Sequence, residues 1–182
     1  MPIDAYAELK ARFAGAAQVS LDVLITIRSD VFDTFDSTSG EIVVASDGRY
    51  YARLSNDAFV FDGRCLWEYS AENNQATKDC LGEDERFESE FSFIKNLDRY
   101  YTAENVHPDS VYILRRRGDD NSSLPDSLTL YLTSAKLSRI SYYDLNKDLN
   151  IVAVRNQRCD TVVTDSRYHM HLPDSTEIIV MP

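Results

Sequence analysis

The sequence predicts a single α+β, mainly β domain over residues 1–182, built on one large antiparallel sheet. Three observations predict it. Apolar and polar residues alternate in short segments through most of the chain, which is the period of a half-buried strand. Turn signals separate those segments: Asp47-Gly48, Ser55-Asn56-Asp57, Asp62-Gly63, Ser134-Ala135 and Asn146 to Asp148. Helical spacing recurs in only two places. A single sheet must cover one apolar face, and the two amphipathic segments are the available covers.

Asp4 is a candidate N-cap, and Tyr6, Leu9 and Phe13 follow at helical spacing on one face. Ala16 and Ala17 extend that face, so the helix is expected to end near Gly15 to Gln18. Val19, Leu21, Val23, Ile25 and Ile27 then alternate with Ser20, Asp22, Leu24, Thr26 and Arg28, a strand with one face strongly buried. Ser29 to Ser39 is polar, with Val31, Phe32 and Phe35 embedded, and reads as a loop. Gly40 to Ala45, Tyr50 to Leu54 and Ala58 to Phe61 are three more strands. With Ser46 opposite Tyr50, residues Ile42, Val44, Tyr50, Ala52 and Leu54 share one face.

Asp62-Gly63 signals a two-residue hairpin, because a type I′ turn needs positive φ at both central positions. Cys65, Trp67 and Tyr69 leave it on one face, with Leu66 and Glu68 on the other. A turn around Glu72-Asn73-Asn74 returns the chain through Gln75 to Asp79. A turn on Glu72-Asn73 sets Cys65 opposite Cys80, where an oxidising compartment would allow a cross-strand disulfide. Three ordinary thiols are the alternative, and Cys159 stays unpaired in both cases. Leu81 to Glu90 is acidic, and Phe93, Leu97 and Tyr100 or Tyr101 then recur at helical spacing, predicting one or two short helices over Ser89 to Thr102. Strands resume at Ser110 to Arg116, Leu128 to Thr133, Leu137 to Leu145 and Asn150 to Arg158. The tail holds Thr161 to Val163, His169 to Pro173 and Ile178 to Val180.

A net charge of −11 argues against nucleic acid as a partner, because phosphate neutralisation needs clustered Lys and Arg. Arg115-Arg116-Arg117 is the only basic run and reads as a solvated strand end. There is no G-x-S-x-G elbow, Walker loop, Rossmann glycine pattern, H-E-x-x-H or C-x-x-C. His169 and His171 lack a third ligand that would make a metal site. No enzyme, metal or cofactor is therefore expected. No segment is apolar enough to span a bilayer, and the chain enters a helical pattern directly after Met1-Pro2-Ile3. That start fits either a cytoplasmic protein or a secreted one whose signal peptide has been removed.

The stretch Asp62, Gly63, Leu66, Trp67, Tyr69, Gln75, Ala76 and Thr77 resembles the outer-membrane lipoprotein carrier family (LolA-like). Val19 to Val23, Gly40 to Val44 with Asp47 to Tyr51, Lys136 to Asp144, and His171-Leu172-Pro173 with Glu177-Ile178-Ile179 resemble further regions of it in the same order. The resemblance implies an unclosed antiparallel half-barrel with a helical lid over an apolar concave face. It implies a periplasmic, monomeric carrier of acylated lipoproteins, loaded by an inner-membrane transporter and unloaded at an outer-membrane receptor. The expected cavity is Val23, Ile25, Ile42, Val44, Tyr50, Leu54, Val60, Trp67 and Tyr69; the expected lid is Tyr6, Leu9, Phe13, Phe93 and Leu97. A module of the same fold that holds another hydrophobic ligand, or senses the state of the envelope, would carry the same features. Many members of the family tie the lid with an Arg where this chain has Ser46, so that latch does not carry over.

Overall fold

The computed structural model describes residues 4–82, 92–107, 110–118 and 124–181, without the side chains of Ser92, Phe93 and Asn105. Helix α1 runs Ala5–Gly15. Asp4 caps it, its carboxylate accepting from the Tyr6 amide at 3.1 Å. Strands β1 (Gln18–Ser29), β2 (Thr34–Ala45), β3 (Tyr50–Leu54), β4 (Asp57–Phe61), β5 (Cys65–Ser70) and β6 (Gln75–Cys80) follow as an antiparallel meander. A 3-10 turn (Ser92–Lys95) and the one-turn helix α2 (Leu97–Tyr100) lead into a second meander. This consists of β7 (Tyr101–His107), β8 (Val111–Arg116), β9 (Ser127–Thr133), β10 (Lys136–Tyr143) and β11 (Leu149–Asp160). Another 3-10 turn (Asp165–Tyr168) precedes β12 (Glu177–Val180).

β1 pairs with β11 and joins the two meanders into one sheet of order β12-β6-β5-β4-β3-β2-β1-β11-β10-β9-β8-β7. The ends, β12 and β7, do not pair with each other, so the sheet is the expected unclosed half-barrel. Among the described strands only β12–β6 is a parallel pair. Gly40 is needed where β2 passes β3, since a Cβ there would lie 1.8 Å from the Arg53 carbonyl oxygen. No helix among the described residues is long and apolar enough to cross a membrane.

Three local features differ from the sequence expectation. The β1–β2 loop is only Asp30 to Asp33, and β2 begins at Thr34. Its first residues are exposed on both faces, so they show no apolar alternation to mark a strand. The helix expected to reach Thr102 stops at Tyr100, because Tyr101 starts β7 and is wholly buried, its hydroxyl donating to the Pro125 carbonyl at 3.0 Å. Residues 83–91 of the expected lid segment lie outside the described residues, as does the side chain of Phe93. In the tail, Tyr168 anchors the segment between β11 and β12. The hairpin at Asp62 turns on Gly63-Arg64, with Gly63 at φ 98° and Asp62 accepting from the amides of Arg64 and Cys65. That one-residue displacement moves the register by two and leaves the faces unchanged. The β3–β4 turn is different, and it changes the candidate site.

Cys65 and Cys80 face each other across β5–β6 and are disulfide-bonded, with Cα atoms 4.0 Å apart. The bond closes a 15-residue separation, for which loop entropy gives up to about 3 kcal/mol. Replacing both cysteines with serine should lower the urea-unfolding free energy by up to that amount. Reductant should reproduce the loss in the parent and change nothing in the variant.

Candidate functional site

Pairing across the sheet sets which side chains share a face. Val19, Val44, Tyr50, Phe61 and Leu66 lie across from one another on neighbouring strands, as do Leu21, Ile42, Ala52 and Phe59. Ile25, Val152, Ile140, Leu130 and Tyr112 continue the same face on the other side of β1. Together with Tyr6, Leu9 and Phe13 of α1, and with Ile94 and Leu97, they form the main core. Of the sequence-predicted site residues, Tyr6, Leu9, Phe13, Val23, Ile25, Ile42, Val44, Tyr50, Leu54 and Leu97 are gathered here.

Val60, Trp67 and Tyr69 are not. Val60 pairs with Tyr51 and with Trp67, and Tyr69 with Ala58, which puts all three on the opposite, convex face. The cause is one residue of turn. The sequence reads Ser55-Asn56-Asp57 as the loop between β3 and β4, which would place Val60 across from Ala52. The loop is Ser55-Asn56, with Ser55 at φ 56° and Leu54 paired with Asp57. A single-residue slip turns every side chain of a strand to the other face. Asp57 stays in the strand because its carboxylate accepts from the Ala71 amide at 2.9 Å.

The lid lies against the concave face through apolar side chains and a few polar ties. Tyr6 stacks on Tyr112 at 5.2 Å, and the Tyr112 hydroxyl donates to Asp4. Burial pushes the Tyr6 phenol far above its ordinary range, and the charges of Asp98 and Asp4 add to this, so it stays neutral. Lys10 pairs with Asp98 at 2.7 Å. At the other end of α1, Arg12 donates to the Ala135 carbonyl in the β9–β10 turn, where Ser134 and Ala135 both have positive φ. Lys95 donates to the Ala16 carbonyl just past the helix, and burial lowers its pKa below the usual lysine value. The Arg12 hydrogen bond ties α1 to the β9–β10 turn. Phe13, Ile94, Leu97, Leu130, Leu137 and Ile140 leave no space among them large enough for a water molecule. Among the described residues, α1, Ile94 and Leu97 cover the concave face.

The convex face carries open hollows that sequence reasoning missed. After β11 the chain crosses this face to reach β12. Tyr168 holds it down, packing on Val43 and Ala45 and donating to Gln18 Oε1 at 2.8 Å. Arg49 lies over the Tyr168 ring and pairs with Asp47 and Asp165 at 2.7 and 2.9 Å. Between this strap and the sheet run two adjoining cavities of about 530 and 590 Å³, which share Glu41, Tyr51, Arg53 and Arg167. Among the described residues, no three His, Cys, Asp or Glu side chains come together as a metal site.

No protein-family model and no curated protein matches the sequence. Solved structures do. An uncharacterised conserved protein from Thermus thermophilus superposes with a TM-score of 0.56 at 10% identity, covering 96% of this chain and 98% of that one. A LolA superfamily protein from Nitrosomonas europaea superposes with a TM-score of 0.50 at 13% identity, covering 92% and 98%. At these identities the likeness shows the fold, and the fold is LolA-like.

Proposed function

We propose that this LolA-like half-barrel is a periplasmic carrier. It holds the acyl chains of lipoproteins against its concave face once α1 lifts, taking them from an inner-membrane transporter and giving them up at an outer-membrane receptor. One observation carries the reading: the apolar concave face is covered by side-chain packing of short helical segments, with few polar ties. Such a cover can be exchanged for a ligand of the same chemistry. A fifteen-carbon acyl chain gains about 12 kcal/mol on leaving water, at ~0.8 kcal/mol per CH₂. Exposing Tyr6, Leu9, Phe13, Ile94 and Leu97 costs roughly 1.5–3 kcal/mol each, about 7–15 kcal/mol together. Terms of similar size and opposite sign leave a net affinity small enough for release. No catalytic group has a part in this.

The test is titration with a fluorescent acyl probe. The parent protein should bind it saturably. Arg12→Ala removes the charged hydrogen bond to Ala135 and leaves the apolar lid intact. A hydrogen bond to a charged group is worth roughly 1.5–3 kcal/mol. The variant should therefore bind the probe about tenfold or more tightly, because 1.4 kcal/mol is a factor of ten. Absence of saturable binding in both proteins would remove the carrier reading.

A further inference from the structure

The two cavities on the convex face share Glu41, Tyr51, Arg53 and Arg167 and form one groove. Arg53 of β3, Arg155 and Arg158 of β11, and Arg167 of the second 3-10 turn all line its larger part. The chain carries a net charge of −11, so gathering four guanidinium groups here runs against its own balance. Asp22 and Glu41 are the acids in that part. Asp22 accepts from Asn156 at 3.0 Å. One oxygen of Glu41 takes both Arg158 and Arg167, at 2.9 Å each. Arg53 and Arg155 have no ion pair or hydrogen bond from their side chains among the described residues. The groove thus holds four positive charges against two negative ones, and two of its guanidinium forks are open. Like charges held this close are unfavourable unless an anion completes the site. Arginine forks match carboxylate and phosphate oxygens in a bidentate way. Beyond Arg53 the groove mixes apolar surface from Tyr51, Val60, Tyr69 and Met170 with the side chains of His169 and His171.

We propose that this groove binds a small organic anion: a phosphate monoester or carboxylate held by Arg53 and Arg155, on an aromatic or apolar body that lies along Tyr51 and Val60. The site is on the face opposite the lid and does not depend on the carrier reading. Glu41 is its internal competitor, because it occupies Arg158 and Arg167 when the ligand is away.

The probes are phenyl phosphate, benzoate and inorganic phosphate, titrated into the full chain at low ionic strength and followed by calorimetry and amide chemical shifts. Phenyl phosphate or benzoate should bind saturably, more tightly than inorganic phosphate, and shift the amides of Tyr51, Arg53 and Arg167. The preferred probe of the two assigns the head group as phosphate or carboxylate. Arg53→Ala with Arg155→Ala should weaken binding at least tenfold; both residues are exposed, so the fold should be kept. Glu41→Gln should tighten it severalfold by freeing two guanidinium groups, and Arg64→Ala, in the β4–β5 turn, should leave it unchanged. Added salt should weaken binding, because the charges are solvent-exposed. The proposal is overturned if neither organic anion saturates the parent by about 10 mM. Equal affinity in the double variant, or tightest binding by inorganic phosphate, would also overturn it.

Discussion

Locking α1 to α2 should abolish uptake of an acyl probe. Lys10 and Asp98 meet at 2.7 Å and are both solvent-accessible, so cysteines placed there can be joined by a short bis-maleimide. Cys159, the one free thiol, is replaced with serine, and the Cys65–Cys80 disulfide is kept. Leu97 at the start of α2 is buried in the core, and α2 runs directly into β7, so α2 is a fixed anchor. The native ion pair is exposed and worth at most about 1 kcal/mol. The double variant without linker should therefore take up the probe as well as the parent does. With the linker closed, α1 cannot lift Phe13 and Leu9 out of the core, and binding should fall below detection. Normal uptake by fully crosslinked protein would show that no lid moves there.

A carboxylate on the concave face should also abolish binding, and one on the convex face should not. Tyr50 is 3% exposed and stacks with Phe61 at 6.2 Å. Glutamate in its place must lose its hydration or take up a proton, and either costs several kcal/mol. Leu54→Glu places the same charge at the half-buried rim of that face, where the fold has more room to tolerate it. Both variants should lose probe binding by roughly tenfold or more, equivalent to at least 1.4 kcal/mol. Trp67→Glu is the counterpart on the other side. Lys78 already lies over the Trp67 ring at 4.7 Å and would meet the new charge. That variant should fold and bind the probe normally, as judged by circular dichroism and titration. Loss of binding in Trp67→Glu together with retention in Leu54→Glu would place the acyl site on the convex face.

The contrast between these residues shows what can be read in the sequence. Strand alternation puts Ile42, Val44, Tyr50, Ala52 and Leu54 on one face, and the pairing of β2 with β3 agrees. The β2–β3 register differs by two residues from the expected one, and an even shift keeps the faces. The β3–β4 turn differs by one, and an odd shift reverses them. Ser55, Asn56 and Asp57 are all turn-forming residues, so composition alone does not say where the loop stops. The deciding contact, from Asp57 to the Ala71 amide, is made by a residue fourteen positions away. β7 is hidden for a related reason. Tyr100 and Tyr101 extend the helical spacing of Leu97, but Tyr101 pairs with Arg116 of β8, a strand that is legible in the sequence although its partner is not. The arginine groove is invisible for a simpler one. Its four guanidinium groups come from positions 53, 155, 158 and 167, and only the order of strands brings them together. The Arg12 tie is hidden in the sequence because Ala135, which accepts from it, lies in a turn 123 positions away.

The placement of β11 and β12 has a consequence for how the chain is made. The first meander, β1 to β6, can zip together from local hairpins as soon as it leaves the ribosome, because each strand neighbours the next. Its two outer strands must then wait. β1 is covered by Leu149–Asp160 and β6 by Glu177–Val180, which are synthesised well after both. Until then the half-sheet presents two rows of unpaired backbone groups, a template for any neighbouring nascent chain. Asp79 and Asp22 on those two strands, and the negative charge of the chain, oppose the approach of a like copy through charge repulsion. A chain cut short before Glu177 would never seal β6 and would carry a permanently adhesive edge.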